Sequence, residues 1–104
     1  MLKHFELRVR LKQLAHQLNL RLERSPDPQA LGWNIIDAKS GGALEFSDFA
    51  FALKGVAARL FQEADERRCD ALAERAREIH EALPGGWWVG SDAPAPELRA
   101  APRF

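Results

Sequence analysis

Leu7, Leu11, Leu14 and Leu18, with Ala15 beside them, recur at intervals of four and three and so predict a helix over about residues 6 to 18. The same stretch also fits a half-buried strand, because Phe5, Leu7, Val9 and Leu11 alternate with Glu6, Arg8, Arg10 and Lys12. Residues 12 to 18 contain no β-branched side chain and follow the helical period alone, which favours the helix. From Leu18 the period falls to two, with Leu18, Leu20 and Leu22 alternating with Asn19, Arg21 and Glu23, until Ser25-Pro26-Asp27-Pro28 stops the run. This is a first strand. Trp33 to Ala38 is rich in strand formers, and Ala43 to Phe46 follows Lys39-Ser40-Gly41-Gly42, whose glycines supply the positive φ of a hairpin turn. They predict a second and a third strand.

Ser47 has the chemistry of a helix N-cap, Asp48 would sit favourably in the first turn, and Phe46 is spaced to pack on Phe51 as a hydrophobic staple. A helix is therefore expected from residue 48 to Leu83, where Pro84-Gly85-Gly86 ends it. Unbroken, it would be about 54 Å long, whereas a globule of this size has a radius of gyration of about 13 Å. Two ways out exist: the helix bends near Gly55 or between Gln62 and Arg68, or its distal half projects toward a partner. Cys69, Leu72, Ala76, Ile79 and Leu83 follow the spacing of a coiled-coil seam and offer a homodimer interface; folding back over the sheet is the alternative. The expected fold class is α+β, with an N-terminal helix, a three-stranded antiparallel sheet and a long C-terminal helix, kinked or split in two. A single domain covers residues 1 to 90, and the Pro- and Ala-rich tail from 91 to 104 has too little apolar content to order itself and is expected to be flexible.

A chain of 104 residues buries roughly 65% of the surface it exposes when unfolded, enough for one core without staples. Cys69 is the only cysteine, which excludes an internal disulfide and a cysteine-rich zinc site and points to a reducing, cytoplasmic setting. No apolar run is long enough to suggest a signal peptide or a membrane span. Fifteen basic and fifteen acidic side chains cancel overall, but residues 1 to 24 hold six of the basic residues against Glu6 and Glu23. This segment carries a net charge of +4, leaving −4 on the remainder.

Chemistry is thinly represented. His4, His16 and His80 fall in no metal-ligand spacing, and neither a phosphate-binding glycine loop nor a nucleophile elbow is present, so no cofactor or metal is expected. On one straight helix Cys69 and His80 would be about 16 Å apart along the axis, too far for a dyad. Glu66, Asp70, Glu74 and Glu78 lie four apart, joined at the edge by Glu63 and Glu81, and form either a solvated face or an acidic strip suited to a basic partner surface. Trp87 and Trp88, behind a glycine pair, either complete the core or anchor an interface. Arg8, Arg10, Lys12, Arg21 and Arg24 are candidates for phosphate contacts, although neither a helix-turn-helix pair nor an aromatic interleaving of the sort that stacks bases accompanies them.

The leading expectation is a non-enzymatic protein-binding module, an inhibitor or regulator that meets a larger protein through Trp87, Trp88 and the acidic strip. In size and in carrying no catalytic motif, the chain resembles the short inhibitors of phages and mobile elements, anti-CRISPR proteins among them, and that resemblance of class implies a protein partner. The alternative is a small dimeric nucleic-acid-binding regulator that uses the basic N-terminal segment.

Overall fold

The computed structural model describes residues 4–25, 32–44, 51–89 and 95–99. Along them the chain forms α1 (His4–Gln17), β1 (Leu20–Arg24), β2 (Trp33–Asp37), α2 (Leu53–Glu66) and α3 (Asp70–Ala82). The class is α+β, as the sequence pattern implies.

The helical reading of the N-terminus prevails over the strand reading, and burial shows why. Leu7, Leu11, Leu14, Ala15 and Leu18 are all buried on one face, while Phe5 remains 62% exposed and Val9 only half-buried. A strand would have buried Phe5 and Val9 together with Leu7 and Leu11. The chain leaves α1 through Asn19 at φ +59°, a left-handed conformation that asparagine tolerates, with the Asn19 N–H donating to the His16 carbonyl at 3.0 Å.

β1 then pairs antiparallel with β2, setting Leu20 opposite Asp37 and Arg24 opposite Trp33. Leu20, Leu22, Trp33 and Ile35 share the face that packs on the helices. The expected third strand is reduced to one bridge, Ala43 opposite Ile36, and residues 45 and 46 lie outside the described residues. The far edge of β2 is divided. Leu44 N–H donates to Ile35 at 2.9 Å, but Trp33 exchanges hydrogen bonds of 3.0 and 3.2 Å with Phe51, which also bridges to Trp88.

That pairing accounts for the second departure from expectation. Phe51 is not in a helix, and α2 starts at Leu53, with Ala52 as an N-cap that makes no side-chain cap bond. The Ser47 cap, Asp48 and the Phe46 end of the staple lie outside the described residues; Phe51, the other end, belongs to the sheet edge.

The long helix is split at the end of its charged stretch, not at Gly55. Arg68 N–H donates to Asp65 at 3.0 Å and Cys69 N–H to Ala64 at 2.8 Å, the paired bonds of a Schellman stop, with Arg68 at φ +57° where glycine usually sits. α3 returns along α2, and Lys54 near the start of α2 donates through Nζ to the Leu83 carbonyl, 2.7 Å away, just past the end of α3. Ala76, Ile79 and Leu83 of the proposed seam are therefore buried within their own chain, and Cys69 and Leu72 are half-buried against the same core. The radius of gyration is 13.0 Å and the longest extent 43 Å, shorter than the unbroken helix would have been. No helix among the described residues is long and apolar enough to cross a membrane. Of the C-terminal tail, residues 95–99 are described, and Leu98 packs against the core beside Phe61 and Ala73.

Candidate nucleic-acid interface

Phe5, Arg8 and Lys12 follow at intervals of three and four on α1, so they share one face, which flanks the leucine stripe. β1 adds Arg24 to the same region, because its register sets it across from Trp33. Trp33, only 7% exposed, forms the floor: Arg24 stands 4.5 Å from its ring centroid and Lys12 5.6 Å, both within cation–π range. Arg8 lies 5.5 Å over the ring of exposed Phe5. Arg8 and Arg24 also line a cleft of about 270 Å³ with Trp33, Lys54 and Val89, into which the uncapped N-terminus of α2 opens.

Tertiary structure thus gathers Arg8, Lys12 and Arg24 around one tryptophan. None of the three has a carboxylate partner among the described residues. The two other basic candidates are placed elsewhere. Arg21 points to the opposite face of the sheet and pairs with Glu23 at 3.2 Å, and Arg10 lines a separate groove with Gln13, Arg75 and Glu78. Trp33, Lys54 and Phe5 were not foreseen as members. The interval linking Phe5, Arg8 and Lys12 was a readable signal; the contributions of Trp33 and Lys54 depend on strand register and on where α2 begins.

Compared with known protein families, curated proteins and solved structures, this chain matches none. Its surface chemistry must therefore be read from its own residues.

The acidic candidates are divided by the helix break. Glu66 ends α2, whereas Asp70, Glu74 and Glu78 belong to α3, and all four are exposed. Glu74 accepts a hydrogen bond from Arg77, and this bond, with the attraction of the same carboxylate, raises the Arg77 pKa above its ordinary value. Glu63 is not part of the solvated strip: it is buried between Arg59, at 2.8 Å, and Arg67, at 3.3 Å. Arg67 also donates to the Leu18 carbonyl and so ties α2 to the end of α1.

Trp87 and Trp88 are half-buried and have partners within the chain. Trp88 stacks on Phe51 with ring centroids 4.5 Å apart. The indole N–H of Trp87 donates to His80 Nε2 at 2.9 Å, and the Trp87 carbonyl accepts from Ala52 N–H at 2.8 Å. His80 is buried; that burial, and secondarily the charge of Lys54, lower its pKa below the ordinary imidazole value, with Glu81 acting in the opposite sense. Cys69 and His80 sit at opposite ends of α3, with the Cys69 thiol 3.7 Å from the Arg67 carbonyl oxygen. Among the described residues no three His, Cys, Asp or Glu side chains gather as metal ligands would.

Proposed function

We propose that this chain is a small nucleic-acid-binding protein whose contact surface is the basic face of α1 and β1. One observation carries the reading: Lys12 and Arg24 converge on Trp33, and Arg8 lines the adjoining cleft beside Phe5, all three without carboxylate partners among the described residues, in a chain whose total charge is zero. Local cation density, not bulk charge, is what attracts a phosphate backbone in such a molecule. Exposed Phe5, next to Arg8, adds an aromatic surface on which an unpaired base can stack, favouring single strands over duplex.

Fluorescence anisotropy with single-stranded and duplex oligonucleotides over a salt series tests this. Binding should weaken as salt rises, and replacing Arg8, Lys12 and Arg24 together by alanine should reduce the slope of log K against log salt by about 2 to 3. Phe5→Ala should weaken single-strand binding by about 1 kcal/mol or more and leave duplex binding nearly unchanged. No binding at low salt, or binding indifferent to the triple replacement, would exclude the reading. The exposed carboxylates Glu66, Asp70, Glu74 and Glu78, as a surface for a basic protein partner, would then be the reading to pursue.

A further inference from the structure

Among the described residues β1 has one ladder partner, β2, and the hydrogen bonds at its two ends reveal which backbone groups it uses. Ala38 N–H donates to Asn19 at 3.0 Å and Ser25 N–H to Gly32 at 2.9 Å, so within the shared register residues 19, 21, 23 and 25 face β2. The N–H and C=O groups of Leu20, Leu22 and Arg24 point the other way, toward the outer edge, where none of the described residues pairs with them. An open edge is a template for another strand. This one contains no proline or lysine to blunt it.

We propose that the outer edge of β1 pairs with β1 of a second copy of this chain, antiparallel about a two-fold axis through Leu22, to give a four-stranded sheet. The register follows from parity and charge. A centre on Leu22 brings outward-facing Leu22, and Leu20 with Arg24 of the other copy, into hydrogen-bonded pairs, forming about six inter-strand bonds. It also sets Arg21 directly opposite Glu23 of the other copy, twice, on the solvent face at the positions where antiparallel side chains approach most closely. Both residues are more than half exposed and accessible to a partner. Shifting the centre to Arg21 opposes two arginines, and shifting it to Glu23 opposes two glutamates. The Leu22 register alone is complementary. It is isologous, as a symmetric dimer requires, and of the basic face around Trp33 it uses only the Arg24 backbone. Two five-residue strands make a small interface, so the dimer is weak and concentration-dependent.

Sedimentation equilibrium over a wide protein concentration range, with amide hydrogen exchange at each end, tests it. Wild type should form dimers as concentration rises, with slowed exchange at Leu20, Leu22 and Arg24. Arg21→Glu opposes like charges twice and should weaken the dimer about tenfold or more, while Arg21→Glu with Glu23→Arg should restore it. Both sites are exposed, so the fold should tolerate these changes, and circular dichroism checks that. Leu22→Pro removes the outward N–H, together with part of the Leu22 packing on the helices, and should abolish pairing while the β1–β2 ladder, checked by hydrogen exchange at Arg21 and Glu23, persists. A monomer at every concentration overturns the proposal, as does a dimer that Arg21→Glu leaves intact or that the charge exchange fails to restore.

Discussion

At Gly55 a single hydrogen atom in place of a side chain lets two segments meet. A Cβ there would overlap the Trp87 carbonyl oxygen and lie 2.8 Å from its carbon and 2.9 Å from the Phe51 ring. Alanine normally improves a helix interior by about 1 kcal/mol over glycine. At this position Gly55→Ala should instead destabilise the fold, by about 1–3 kcal/mol net, because backbone cannot move aside as a flexible side chain can; urea unfolding measures it. The sequence marked Gly55 as a weak helix former and a place to bend, but the close approach of residue 87, distant along the chain, is its actual reason. His80 has a comparable history: as one of three histidines it carried no signal, and folding made it the acceptor for Trp87. To accept at Nε2, the imidazole must be neutral with its proton on Nδ1. Its lowered pKa means that the unfolded chain takes up a proton before the folded one does. Stability should therefore be fully present above about pH 6.5, the ordinary histidine value, and decline as pH falls from there through the lower folded pKa. His80→Gln should flatten this part of the stability profile in thermal melts at several pH values.

At the scale of elements, terminators were harder to read than interiors. The leucine stripe of α1 and the alternation of β1 and β2 are local periodicities, and the structure realises them nearly as spaced. The stop between α2 and α3 was less legible because an arginine occupies the left-handed position that glycine would have announced. That substitution leaves a test. Arg68→Gly should stabilise the protein by about 0.5–1 kcal/mol through relief of the left-handed penalty, whereas Arg68→Val should destabilise it, both read from denaturant midpoints. The start of α2 has a tertiary cause. Phe51 occupies the edge of β2 near Trp33 and Ala52 is extended, at positions that a helix running from residue 48 would have included. A competing tertiary pairing outweighed a local propensity.

For the whole molecule, zero net charge conceals a segregation that matters more than the total. Arg8, Lys12 and Arg24 of α1 and β1 gather in one region, while the exposed carboxylates Glu66, Asp70, Glu74 and Glu78 lie on α2 and α3. Folding α3 back on α2 buried the apolar seam that looked suited to dimerisation, leaving the β1 edge as the surface where a second copy fits by charge. The sequence by itself determined the class, the approximate spans of α1, β1 and β2, and the positive bias of the first 24 residues, because periodicity and charge are properties of neighbours along the chain. Only the tertiary structure decided that Lys12 and Arg24 share one tryptophan with Arg8 in the adjoining cleft, that Trp87 closes on Gly55 and His80, and that a stripe with coiled-coil spacing faces inward. Those relations join residues 7 to 32 positions apart through strand register and helix reversal, and no local pattern specifies either.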